Sequence, residues 1–276
     1  MQGILPYLVS ALLYAAMGAY FWQRHWSAAA NAPAATTASR AGERLGLLLL
    51  LGVHAAVLFG AMLSGSTLRI GLGDAVSAIL WLAVLIYWLG GLFYRLEGLQ
   101  ALILPAAAAA ALLPAVFPAA RPLPNSELLA FRLHLLISML AYSLFTIASL
   151  HVLLMAMLER RLHRGTLPAG LRTLPPLLTM ETLLFRIIWA GFVMLSLTLA
   201  SGVVFSEEVF GRAARLNHKT IFGIVSWLVF AALLFGRHFY GWRGRVAVRW
   251  TLAGFLMLVL AYLGSKFVVE VLLGRS

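Results

Sequence analysis

His134–Leu154 reads HLLISMLAYSLFTIASLHVLL, twenty-one residues without a single Asp, Glu, Lys or Arg. A helix needs roughly 20 mainly apolar residues to cross about 30 Å of hydrocarbon, and this stretch meets that length. A barrel strand would be about half as long and would alternate polar with apolar positions. Outward from it, similar runs recur at 4–22, 45–63, 74–94, 99–117, 183–204, 220–236 and 250–273, and the run that contains His134 extends over 129–157. The spacing predicts an all-α, polytopic membrane protein of about eight helices forming a single membrane domain over 1–276. The fourth run carries Pro105 and Pro114 on either side of Ala106–Ala111. We read it as one kinked helix, since neighbouring helices can satisfy the backbone groups that proline frees.

Composition excludes the other classes. Of 276 residues 62% are apolar and 11% charged, whereas a soluble domain carries about 25% charged residues. A disulfide scaffold is excluded by the absence of cysteine. The net charge of +12 is a topology signal before it is a ligand signal. Loops after helices 1, 3, 5 and 7 hold twelve Lys/Arg: Arg24, Arg40, Arg44, Arg95, Arg160, Arg161, Arg164, Arg172, Arg237, Arg243, Arg245 and Arg249. Loops after helices 2, 4 and 6 hold five: Arg69, Arg121, Arg212, Arg215 and Lys219. Positive-inside bias therefore predicts both termini outside and the basic loops in the cytoplasm. Contact with anionic lipid heads absorbs the remaining charge, and no nucleic-acid partner is needed. The first run lacks a basic n-region and has Arg24 after it, so it is expected to stay as a helix and not to be a cleaved signal. The connectors 23–44 and 159–182 hide no soluble domain, and the first has the composition of a flexible linker.

No nucleotide-binding glycine loop, carboxylate pair or nucleophile motif is present, so no enzymatic activity is expected. Chemistry then rests on ionisable residues at membrane depth, which are costly there and become functional candidates by default. Seven histidines are present. His25 and His163 fall in basic loops, and His238 sits beside Arg237 at a helix boundary. His134 opens helix 5 at the outer face, and His218 immediately precedes helix 7 on the same side. His151, seventeen residues beyond His134, lies about 25 Å deeper at 1.5 Å per residue, and His54 occupies the middle of helix 2. Depth thus pairs His134 with His218 near the outer face and His54 with His151 in the inner half. Imidazoles on facing helices commonly hold haem iron, which makes these four the candidate cofactor-binding residues and His134 with His218 the candidate iron ligands. Zinc is less natural, with no cysteine and few acids to complete a tetrahedron. Each histidine also has a plainer reading as a helix-packing hydrogen-bond partner. Arg132, Arg212, Arg215 and Lys219 are candidates for propionates, and Trp189, Trp227, Tyr142 and Phe222 for stacking on a macrocycle or for helix packing and interfacial belts.

Three stretches together resemble the cytochrome c assembly protein family, whose members include the CcsA, CcmC and HemX-like membrane proteins, with the small YpjD-type inner-membrane proteins as the nearest branch. They are the stretch quoted above, LPPLLTMETLLFRIIWAGFVMLSLTLASG from Leu174, and LNHKTIFGIVSWLVFAALLFGRHFYGWRGRVAVRWTLAGFLMLVLAYLGSKF from Leu216. A fainter likeness extends to SGSTLRIGLGDAVSAILW from Ser64. The resemblance implies a bacterial inner-membrane protein that binds and handles haem b and supports cytochrome c assembly, with other biogenesis proteins or apocytochrome c as partners. It places His134 at the family's external haem-ligating histidine. Three departures stand out. The tryptophan-rich segment before helix 7 is replaced by FSEEVFGRAARLNHKTIF, the tail VVEVLLGRS carries no histidine, and Ser66 stands where the family has a histidine before helix 3. His218 as the second external ligand is our own geometric expectation. A HemX-like regulator of haem synthesis and a small-molecule or ion transporter with structural histidines remain the alternatives. A transporter of this size often shows paired broken helices, and only one proline-interrupted run is present.

Overall fold

The computed structural model describes residues 3–23, 37–62, 68–94, 96, 98–118, 123, 125–164, 175–205 and 218–267. Eight long helices account for nearly all of them: α1 Leu5–Trp22, α2 Thr37–Met62, α3 Leu72–Gly90, α4 Gln100–Val116, α5 Leu129–His163, α6 Leu177–Val204, α7 His218–Tyr240 and α8 Arg245–Val259. The last continues through a π-helical turn, Leu260–Gly264, into Ser265–Phe267. Among the described residues seven helices are long and apolar enough to cross a membrane, the last of these spans running Arg245–Gly264. Helix α4, at 17 residues, is apolar but falls short of that length, whereas α8 reaches it through the π-helical turn. The chain is a polytopic helical membrane protein.

Several helices outrun their apolar stretches. Helix α5 continues through Arg160 and Arg161 to His163, α6 begins at Leu177, and α8 begins at Arg245. Charged side chains at a membrane boundary extend toward water while the backbone keeps its hydrogen-bonded turns.

Helix α1 packs along α4, α3 along α4 and α5, α5 along α6, and α7 along α8. The alanines of α4 explain the tightness of the first group, because Ala107, Ala110 and Ala111 are buried and small residues allow close helix approach. Gly73 of α3 takes this further. A Cβ there would meet the Leu113 carbonyl and lie 2.7 Å from the Pro114 nitrogen, so the two backbones touch. Pro114 sits inside α4, where its ring removes one turn-to-turn hydrogen bond. In the second group, the buried rings of Phe145 and Phe230 stack at 3.9 Å between α5 and α7.

Polar cross-links finish the packing. Trp81 Nε1 donates to Leu51 O at 2.9 Å and Trp88 Nε1 to Arg44 O at 3.0 Å, tying α3 to α2. Tyr142 Oη donates to Leu258 O at 2.7 Å, beside the π-turn, and Lys266 Nζ donates to Ile70 O at 2.6 Å. At the basic end of the bundle, Arg237 Nη1 meets Glu181 Oε1 at 2.6 Å, with the Arg237 guanidinium 4.6 Å from the Phe185 ring centre. The Glu181 side chain is 9% exposed and that of Arg237 26%. Breaking a buried pair from one side costs about 3–5 kcal/mol. The partial exposure of Arg237 puts Glu181→Ala at or below the low end of that range. A fall in the midpoint of thermal unfolding in detergent measures it, and Glu181→Ala with an unchanged midpoint would show the pair to be solvent-screened.

Candidate functional site

His134 projects from the first turns of α5 toward the last turn of α6. Its Nδ1 lies 2.9 Å from Ser201 Oγ. The Ser201 hydroxyl has one proton, and that proton donates to Thr198 O at 3.1 Å. Both contacts are hydrogen bonds only if His134 Nδ1 carries its proton and donates to Ser201. The neutral ring then has its lone pair on Nε2, to which no described residue is bonded. The imidazole rests against the α6 backbone, since a Cβ on Gly202 would lie 3.4 Å from His134 Cε1. A protonated and oriented Nδ1 with a free Nε2 is the preparation that metal-ligating histidines need. Ser138 Oγ donates to the His134 carbonyl at 2.8 Å, within the same helix.

His218 is the exposed first residue of α7. Helices α6 and α7 pack against each other at this end, with Leu199 at 3.4 Å from a Cβ position on Gly223. His134 and His218 therefore share an end of the bundle but make no contact with each other among the described residues. Arg132 Nε donates to Ser126 O at 2.8 Å, which fixes that side chain to the turn before α5. Arg212, Arg215, Ser66 and most of the segment that stands in for the tryptophan-rich stretch lie outside the described residues, as do His25, Arg24 and the tail from 268.

The deeper histidines occupy separate surroundings. His54, 2% exposed, is held at both nitrogens: Nδ1 lies 3.1 Å from Tyr14 Oη and Nε2 2.9 Å from Ser77 Oγ. It knits α1, α2 and α3 together, and the Tyr14 ring meets it edge-on at 5.4 Å. Iron would reach His54 only after one of these bonds opened. His151, also 2% exposed, donates from Nε2 to Met180 O at 3.0 Å and leaves Nδ1 buried without a partner. The structure brings His54 and His151 to different neighbours, with no contact between them.

Of the aromatic candidates, Trp227 donates from Nε1 to Ser196 Oγ at 2.8 Å and stacks on Phe192 at 5.3 Å. Tyr142 is taken up by Leu258, and Trp189 is exposed on α6. No group of three or more His, Cys, Asp or Glu side chains able to hold a metal ion occurs among the described residues. Single imidazoles, as found among the described residues, would suit a group that brings most of its own ligands, as haem does. Ser201 and Thr198 escaped sequence reasoning. A serine and a threonine in an apolar helix carry no signal until the end of α6 is known to meet the start of α5.

The family described as cytochrome c assembly protein matches residues 43–273. The inner membrane protein YpjD of Escherichia coli (strain K12) is 34% identical over 139 residues, 50% of this chain and 52% of the relative. An uncharacterized 28.8 kDa protein of Azospirillum brasilense is 36% identical over 143 residues, 51% and 52% of the two chains. The cytochrome c biogenesis protein CcsA of Prochlorococcus marinus (strain AS9601) is 39% identical over 88 residues, 32% and 28%. The matches thus span about half the length of the first of these relatives. No solved structure matches. The chain belongs to the cytochrome c assembly protein family, and is a multi-pass protein of the inner membrane.

Proposed function

We propose that this family member handles haem b in cytochrome c biogenesis, holding the iron through Nε2 of His134 at the outer face of the membrane. The single observation that carries the reading is the chain His134–Ser201–Thr198, which supports the tautomer with Nδ1 protonated and the lone pair on Nε2. His218, at the same end, would be the candidate for a second ligand. Haem supplies an iron that accepts imidazole nitrogen; the protein supplies the oriented donor, the helix wall of α5 and α6, and no reaction of its own. Apocytochrome c or other biogenesis proteins are the partners this role requires. A HemX-like regulator of haem synthesis is the second reading, favoured by the lack of tryptophan in 205–222.

The test is genetic. A strain lacking the gene, complemented with wild type or with His134→Ala at matched membrane levels, should form holo-cytochrome c only with wild type. Equal holo-cytochrome c in the two strains would remove His134 from the pathway, and changed haem-precursor levels with normal cytochrome c would favour the regulator.

Ser201 acts through His134. Ser201→Ala removes the acceptor of the Nδ1 proton and should weaken haem binding by about 10-fold, at the low end of the effect of outer-shell partners. Ser201→Thr, which retains the hydroxyl, should restore most of it. Haem titration followed by absorbance measures both. Equal affinity in wild type and Ser201→Ala would mean that the hydroxyl does not orient the ring.

A further inference from the structure

At the end of the bundle opposite His134, a cavity of about 570 Å³ opens between the last turns of α5 and the first turns of α8. Its charged lining consists of Arg160, Arg164, Arg245 and Arg249 with His163, against one carboxylate, Glu159. Arg245 and Arg249 stand four residues apart on one face of α8, and Arg160 lies in the last turn of α5, four residues before Arg164, which caps that helix. Among the described residues Glu159 Oε1 faces Arg245 Nε at 3.8 Å, with Arg245 79% exposed, which is a weak surface contact. Ala156 and Val248 add an apolar patch to the lining.

Four guanidiniums around one cavity repel one another. Two of them also stand at the start of α8, whose first turn carries no acidic residue and where the helix dipole disfavours cations. Four exposed guanidiniums against one carboxylate leave the lining with a net positive charge that favours an anion. Guanidinium forks match phosphate oxygens two at a time. The position at a membrane boundary, with apolar groups beside the charges, supplies a two-part surface for a headgroup and the start of its chains.

The geometry points to a binding site for the phosphate of an anionic phospholipid in the α5–α8 cavity, through Arg160, Arg164, Arg245 and Arg249. Bound there, the lipid phosphate neutralises the cluster and cross-links the ends of α5 and α8. This goes beyond a general attraction of basic loops to anionic leaflets, because it requires a particular cavity and predicts selective retention of lipid.

The test uses the full chain in phosphatidylcholine nanodiscs doped with phosphatidylglycerol, followed by native mass spectrometry after release. Wild type should retain phosphatidylglycerol in preference to phosphatidylcholine. Arg164→Gln with Arg249→Gln should lower that retention by about tenfold or more, from the attraction each basic residue exerts on an anionic headgroup. Both side chains are exposed, and a wild-type helical signal by circular dichroism would show that the fold is kept. Arg69→Gln, at the opposite end, should leave retention unchanged. Equal retention of the two lipids, or equal losses in the double variant and Arg69→Gln, would overturn the site. So would inorganic pyrophosphate that binds the detergent-purified protein and displaces phosphatidylglycerol, since the cavity would then serve a free phosphate compound.

Discussion

His134→Ala should lower haem affinity by more than about 100-fold, exceeding the 10- to 100-fold effects typical of outer-shell partners. The reason lies in the donor inventory of the structure. His134 presents a lone pair on Nε2 while Nδ1 donates to Ser201. His54 has both nitrogens engaged and His151 is buried with Nε2 on Met180 O. His54→Ala and His151→Ala should therefore leave haem affinity within a few-fold of wild type and act on stability instead. His54→Ala strands Tyr14 and Ser77, and an unsatisfied buried polar group costs about 1–3 kcal/mol. Haem titration of the three variants, with exogenous imidazole added to His134→Gly as a rescue, separates the two roles. Loss of affinity confined to His54→Ala or His151→Ala would move the iron to the inner half of the bundle.

Gly73→Ala should be a damaging change in spite of its small size. Alanine usually improves a helix over glycine, by about 1 kcal/mol, so the propensity argument alone predicts stabilisation. Sterics oppose it. The added methyl would press on the Leu113 carbonyl and lie 2.7 Å from the Pro114 nitrogen, and these are backbone atoms that no rotamer change can move. Overpacking costs typically about 1–3 kcal/mol and occasionally more. Here separation of two helix backbones places the cost at the upper part of that range. The net expectation is a lower midpoint of thermal unfolding and a larger loss with Gly73→Val. A midpoint that rises in Gly73→Ala would show that α3 and α4 lie further apart.

The membrane fold was readable because it follows from apolar run length, and each of the eight runs corresponds to a helix. Helix ends were less readable. Run length measures hydrophobicity, whereas α5 continues through Arg160 and Arg161 on backbone hydrogen bonds that do not depend on it. The candidate site was readable in its ionisable residue and opaque in its support. His134 stands out at the head of an uncharged twenty-one-residue stretch, but Ser201 becomes informative only once α6 is laid against α5. The surroundings of His54 were likewise hidden, because Tyr14 and Ser77 lie forty and twenty-three residues away in sequence.

The central claim is that His134 supplies an imidazole to haem iron, and the absorption spectrum of the detergent-purified wild-type protein after haem supplementation tests it most directly. The account predicts bound haem that stays with the protein through gel filtration. On reduction it should give sharp Soret and α bands that are lost in His134→Ala. A wild-type protein that remains colourless after supplementation, or a spectrum unchanged in His134→Ala, would contradict it.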